Sequence, residues 1–285
     1  MTTMTTESCT DFEDGRSGRT IPVLLYHSVS NEPSPAIEPF TVSPDAFERH
    51  LDLIEQAGAQ TLTVSDLVDR LSGEGLLPPH PVVITFDDGF ADTLDIAAPM
   101  LWRRGMVATA YLTTGYLAGG SVKRGLTPPG DMLSWDRLSE LESCRLELGA
   151  HTHAHPQLDV LSHAAAAAEM RVCRVLLETS LCHRVRSFAY PHGYASPWLR
   201  AEARQAGFDS ACGVRNALSH ADDDRWCIAR LTVQAGTRDD RIAAWLRGHG
   251  APVAGRPDRV LTRAWRAVRR ARYVMSSRSD YRGWS

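Results

Sequence analysis

Four segments of the chain carry residue types that bind metals and move protons. Asp87 and Asp88 stand side by side in Thr85-Phe86-Asp87-Asp88-Gly89, and three histidines alternate in His151-Thr152-His153-Ala154-His155-Pro156. His27 and His192 each follow an apolar run elsewhere in the chain. Two imidazoles and a carboxylate that leave a coordination position open suit Zn2+, or a related divalent ion such as Co2+ or Ni2+, in a catalytic centre. Asp88, His151 and His155 make such a set. His151 and His155 are four positions apart, a spacing that brings both rings to one side. Pro156 biases His155 away from the helical region, so the segment reads as a turn. The plainer reading of any one of these histidines is a hydrogen-bonded loop residue. Adjacent carboxylates repel, and burying both requires a counter-charge. A metal supplies one, with one aspartate on the ion and the other left free as a base. Gly89 permits the sharp turn that aims consecutive side chains at one site; an ordinary Asp-Gly turn is the alternative.

The elements that must position these residues follow a repeating order. Short apolar runs at Ile21–Tyr26, Pro81–Phe86, Val107–Leu112, Leu146–Ala150, Val185–Tyr190 and Ser210–Val214 read as strands. Helices are expected between them. One is capped by Ser43, has Pro44 at its first position and is closed by Gly58; another runs from Thr63 through Leu71. Others are expected over about 91–104, 135–142, 162–182 and 197–206, with a last one from Thr237 to Arg247. Alternation of strand and helix implies a parallel sheet with helices outside it, open or closed into a barrel. His27, Asp87-Asp88, the 151–155 segment and Tyr190-Pro191-His192 all fall just past strand ends, the rim that carries active sites in parallel α/β folds.

Composition narrows the partners. A formal net charge of −3 over 285 residues gives no case for nucleic acid. The charge is uneven: residues 255–285 hold nine arginines and two aspartates, net +7, which leaves −10 for the rest. Helical spacing of Leu261, Trp265 and Val268 in this tail fits peripheral membrane contact by a basic amphipathic helix, or equally a helix packed on the acidic body. Six cysteines at irregular spacing, with no C-x-x-C pair, read as free thiols. The start, rich in Thr, Ser and acidic residues, has neither the basic nor the apolar stretch of a secretory signal, so a cytoplasmic location is expected. The expected organisation is a disordered segment over 1–20, one catalytic domain over 21–250 and a basic tail over 251–285.

At its polar motifs the chain resembles the polysaccharide deacetylase family, the carbohydrate esterase family 4 group. The 85–89 segment matches the family's first motif, the 151–156 segment its second, and Phe188-Ala189-Tyr190-Pro191-His192-Gly193 its third, with similarity from about residue 21 to 247. The resemblance implies a distorted (β/α) barrel of about seven parallel strands, a metal on Asp88, His151 and His155, and Asp87 as general base. It also implies a backbone N–H near Tyr190 and Pro191 for the oxyanion. Two departures stand out. Ala189 occupies the place of the third-motif arginine that braces the base, and Arg230 is a replacement by residue type. The late Leu-x-His motif has no match after residue 232, whereas Leu25-Tyr26-His27 has that form, which looks like a circularly permuted arrangement and makes His27 the candidate acid. Trp135 is a sugar-stacking platform or core packing, and Tyr116 a rim residue in the long loop over 115–131.

The expected function is removal of an N-acetyl group from an amino sugar of a glycan or glycolipid intermediate. A deformylase or other non-peptide C–N hydrolase on the same fold is one alternative, and a non-catalytic carbohydrate-binding protein another. Retention of both aspartates disfavours the last, because binding alone needs no base.

Overall fold

Strands buried on both faces dictate the architecture. Every residue of Val23–Tyr26, Pro81–Phe86 and Ala108–Leu112 is buried, the pattern of a parallel sheet covered on both sides. The computed structural model describes residues 19–119 and 127–255. In chain order the strands are β1 (Thr20–Ile21), β2 (Val23–Tyr26), β3 (Ser28–Val29), β4 (Thr41–Val42), β5 (Gln60–Leu62), β6 (Pro81–Phe86), β7 (Ala108–Leu112), β8 (Leu146–Ala150), β9 (Ser187–Ala189), β10 (Ser210–Cys212), β11 (Ser219–His220) and β12 (Leu231–Thr232). The helices are α1 (Pro44–Gln56), α2 (Val64–Leu71), α3 (Ala98–Arg103), α4 (Leu138–Ser143), α5 (His163–Leu181), α6 (Pro197–Gln205) and α7 (Asp239–Leu246).

Seven parallel strands run β10-β9-β8-β7-β6-β2-β12, with β5 paired to the start of β6. The sheet curls into a distorted (β/α) barrel, as the resemblance implies. Its two edges are joined by one segment. Ile228 bridges in parallel to Cys212 of β10, and Leu231 of β12 pairs with Leu24 of β2. The remaining short strands form two side pairs, β1 with β11 and β3 with β4.

Local signals set the helix ends. The Ser43 side chain accepts the Ala46 N–H at 3.2 Å with Pro44 behind it, and Thr63 with Asp66 forms a reciprocal capping box on α2. Ser162 caps α5, which ends at Cys182 in a left-handed conformation. The expected helix over 91–104 opens at Ala91 and Asp92 but is interrupted: Thr93–Ala97 is a π-turn, and α3 resumes from Ala98. Pro99 accounts for this, because it has no N–H and its ring would clash with the carbonyl four residues back. β5 and β12, three and two residues long, are too short and too mixed in polarity for periodicity to reveal. No disulfide occurs among the described residues. No helix among them is long and apolar enough to cross a membrane. Cys9, the 1–18 start and the basic tail after Gly255 lie outside the described residues.

The inner face of the barrel alternates with the outer along each strand. Val23, Val83, Tyr111, Ala189, Cys212 and Ile228 pack together inside, while Leu24, Ile84, Ala110 and Phe188 pack in the larger cluster that also holds the helices' apolar side chains. Gly149 faces the Tyr111 ring: a Cβ there would lie 2.5 Å from two ring carbons and 2.9 Å from Ser187 Oγ. Gly149→Ala is therefore expected to lower stability by about 1–3 kcal/mol through overpacking. Chemical denaturation measures it, and a change within about 0.3 kcal/mol would contradict the packing described.

Candidate active site

Two-residue alternation places Asp87 on the inner face after Val83 and Thr85, and His151 on the inner face beyond Gly149. Regular strand geometry would send Asp88 to the opposite side. Instead the chain turns at once: Asp88 has φ 74° and Gly89 φ 91°. A Cβ on Gly89 would also lie 3.1 Å from Leu112 Cδ2, so the turn uses both freedoms of glycine. Both carboxylates thereby reach one site. His151 Nε2 lies 3.7 Å from Asp87 Oδ2 and 3.5 Å from Asp88 Oδ1, and His155 Nε2 lies 3.2 Å from the same Asp88 oxygen. One ligand atom from each of Asp88, His151 and His155 falls within 4.8 Å of the others, and all three residues are buried.

The two histidines are positioned differently, His151 through its ring and His155 through its backbone. His151 Nδ1 bonds the Ala189 carbonyl at 2.8 Å, which makes Nδ1 the N–H and leaves Nε2 with its lone pair toward Asp88. Burial pushes the His151 pKa down to about 4 against the Asp87 and Asp88 charges, so the ring is neutral at pH 7, the form a metal requires. The 151–155 segment is a turn, as Pro156 implied, with His155 in the left-handed region at φ 54°. Its N–H donates to Thr152 Oγ1 at 3.0 Å. His153 turns aside: its Nδ1 bonds Thr114 Oγ1 at 3.0 Å.

Asp87 is gripped by Arg230. Nη1 donates to Oδ1 at 2.7 Å and Nη2 to Oδ2 at 2.8 Å, a two-pronged bond between fully buried groups. Arg230 Nε is fixed on the Gly213 carbonyl at 3.0 Å, Nη1 also reaches Thr85 Oγ1 at 3.2 Å, and the guanidinium lies 5.5 Å from the Tyr111 ring centre. Burial raises the Asp87 pKa, and the Arg230 charge, with smaller help from His151, reverses this and holds the carboxyl below its usual value. Burial acts in the same sense on Asp88 and is outweighed there by the neighbouring histidines, so both carboxyls are ionised.

Other residues singled out by sequence fall as follows. His27, one step past β2, is buried with its ring 5.2 Å from Phe40, close enough for the Asp88 and Asp87 charges to act on it. Arg230 reaches no open surface and lies beneath Asp87 instead of lining a substrate site. Tyr190 does not face the site with its polar groups: its N–H bonds the Cys212 carbonyl at 3.0 Å and its hydroxyl the Trp226 carbonyl at 3.0 Å. Pro191 starts the turn that sets the His192 ring 5.0 Å from His155. Trp135 packs, half-buried, against the core. Tyr116 is buried with its ring 6.1 Å from His155, and residues 120–126 of its loop lie outside the described residues. Sequence reasoning passed over His192 as a neighbour of the metal set, although its position in the third motif pointed to the rim. It also passed over Glu169, for which no local signal exists.

A family model described as polysaccharide deacetylase matches residues 75–211. The Bacillus subtilis protein YxkH, whose name refers to polysaccharide deacetylation, is 26% identical over 229 residues, 79% of this chain and 76% of that one. The poly-beta-1,6-N-acetyl-D-glucosamine N-deacetylase of Staphylococcus epidermidis is 22% identical over 221 residues, 74% of each chain. Among solved structures, IcaB from Ammonifex degensii superposes with a TM-score of 0.70 at 24% identity, covering 81% of this chain and 98% of that one. The Streptococcus pyogenes deacetylase PplD does so with a TM-score of 0.69 at 23% identity, covering 79% and 96%. These structures share the fold.

Removing the arginine leaves an uncompensated buried carboxylate. Arg230→Met is expected to destabilise the protein by about 3–5 kcal/mol, and Asp87→Asn in the same chain to restore much of that loss. Because the Asp87 pKa is depressed, the pair contributes fully above the unfolded carboxyl value of about 3.9 and its contribution fades as pH falls below it. Urea denaturation of the single and double variants from about pH 2 to 7, which takes in the acid range where that contribution is lost, reads both effects; additive losses would show that the two groups do not interact.

Proposed function

Because this chain carries a polysaccharide deacetylase domain, we propose that it is a metal-dependent hydrolase that removes the N-acetyl group from amino sugars of a glycan. The observation that carries the reading is the convergence of Asp88, His151 and His155 beside a second carboxylate, Asp87, that is fixed and kept ionised by Arg230. The donor set of one carboxylate oxygen and two imidazole nitrogens fits Zn2+, Co2+ or Ni2+. A divalent ion held there supplies Lewis acidity, polarising the amide carbonyl and lowering the pKa of water.

The chain's own groups do the rest. Asp87 accepts the proton of the attacking water, and Arg230 holds its two oxygens at a set orientation while it does so. Arg230 thus takes the bracing part for which Ala189 has no side chain, and the Ala189 carbonyl orients His151. His27 gives a proton to the departing amine. Burial lowers its pKa while Asp88 and Asp87 oppose the shift, so its acid form is lost as pH rises. The relatives named for N-acetylglucosamine polymers support a glycan as substrate. A non-catalytic binding role finds no support in a buried, braced carboxylate, because binding a sugar needs no such base.

Acetate release from N-acetylglucosamine oligomers, with metal content measured on the same sample, tests the reading. Activity is expected to disappear with a chelator and return with Zn2+, Co2+ or Ni2+. Asp88→Ala is expected to lose both metal and turnover. His27→Ala is expected to keep its metal, slow turnover by roughly 10²–10⁴ and lose the limb of the rate profile that falls with rising pH. Full turnover in His27→Ala would exclude it as the acid, and metal without acyl release across a broad panel would exclude the deacetylase reading.

A further inference from the structure

The metal set depends on an unusual turn. Between His151 and His155 the backbone passes twice through the left-handed region, at Thr152 (φ 66°) and His155 (φ 54°), neither of them glycine. Each such residue is strained by roughly 1–2 kcal/mol unless its surroundings over-determine it. The turn receives hydrogen bonds from the end of β7, where Gly115 N–H donates to the His153 carbonyl at 2.7 Å and Thr114 N–H to the Thr152 carbonyl at 3.3 Å. Its own N–H groups need an acceptor from elsewhere. Glu169 provides it: one oxygen, Oε2, accepts the His153 N–H at 3.0 Å and the Ala154 N–H at 2.8 Å. Two successive N–H groups converging on one anionic oxygen form a small anion-binding concavity.

The placement of Glu169 follows from α5. Met170 and Cys173 on the same helix are buried in the core, and Cys173 Sγ reaches the Leu112 carbonyl at the end of β7 at 3.4 Å. The helix is therefore fixed relative to β7, and Glu169 is delivered to the metal turn from a rigid element. Its carboxylate is half-buried and touches neither Asp88 nor the imidazole nitrogens among the described contacts.

We propose that Glu169 is a positioning residue for the metal: by holding the His153 and Ala154 N–H groups it fixes the left-handed turn that presents His155, and so sets metal affinity. The inference rests on the metal reading above and deepens it. A charged acceptor shared by two backbone N–H groups is stronger than a neutral one. Loss of such orienting partners weakens metal binding by about 10–100-fold.

The test uses metal-free protein. Zn2+ is titrated in competition with a chromophoric chelator into wild type, Glu169→Leu and Glu169→Gln, and the metal-free melting temperature of each is recorded. Glu169→Leu, which has no acceptor, is expected to bind Zn2+ about 10–100-fold more weakly than wild type. Glu169→Gln, which keeps an acceptor oxygen, is expected to fall between the two. Wild-type affinity in a folded Glu169→Leu, or equal weakening in both variants, would overturn the proposal. So would a lower melting temperature with unchanged affinity, the mark of a purely structural role. Hydrogen exchange on the metal-free wild type covers the case in which Glu169→Leu does not fold: the His153 and Ala154 amides are expected to be protected, and exchange at unprotected rates would overturn the proposal without any variant. Wild type that takes up no Zn2+ would overturn the metal reading itself, a result distinguishable from these.

Discussion

Two carboxylates on consecutive residues repel each other, and taking them out of water makes the repulsion severe. The site is organised around that constraint. Asp87 meets the Arg230 guanidinium through two parallel bonds, and Asp88 meets the imidazoles of His151, which burial keeps neutral, and His155. The two solutions differ in kind. The Asp87 charge is balanced by a permanent partner whose three nitrogens are all hydrogen-bonded, which keeps that oxygen pair in place. The Asp88 charge is met by the imidazoles of His151 and His155, which form the candidate metal set with it. One strand end thereby gives its two carboxylates different surroundings, although the residues are identical and adjacent.

Much of this was legible in the sequence because the signals are local. Ser43, Thr63 and Ser162 each announced a helix start, and apolar runs marked the six principal strands. The Asp-Asp-Gly and His-x-x-x-His segments supplied the three side chains that converge on the candidate metal set. Legibility failed where geometry depends on residues far apart. Arg230 was nominated by type alone, and only the fold could show that it bonds Asp87 across 143 positions. Glu169 sits mid-helix, 15–16 positions from the N–H groups it accepts, with nothing nearby to mark it. Tyr190 failed for a different reason. Its motif placed it at the rim, but both its N–H and its hydroxyl are bound inside the fold. The π-turn after the aspartates was a missed local signal, since Pro99 in the middle of an apolar helix pattern already argued against a regular α-helix.

Backbone conformation carries as much of the site as side-chain chemistry. Asp88, Thr152, His155 and His192 all have positive φ, and each stands in a segment that borders the metal set. Clustering of such residues at one rim is how a regular sheet, whose side chains alternate, concentrates several on a single point. The supporting bonds come from neighbouring strand ends and from α5, so the rigidity of the barrel is transmitted to the imidazoles through main-chain contacts.

The segment that joins the sheet's two edges has a consequence for synthesis. Ile228 and Leu231 close the barrel, and Arg230 between them is the group that neutralises Asp87. A ribosome makes the aspartate first and its partner 143 residues later, an interval of about 7–30 s at ordinary elongation rates. Throughout that time the emerging chain holds a carboxylate that cannot be buried. Asp87 thus acquires the partner that neutralises it only when the strand that completes the ring has been made.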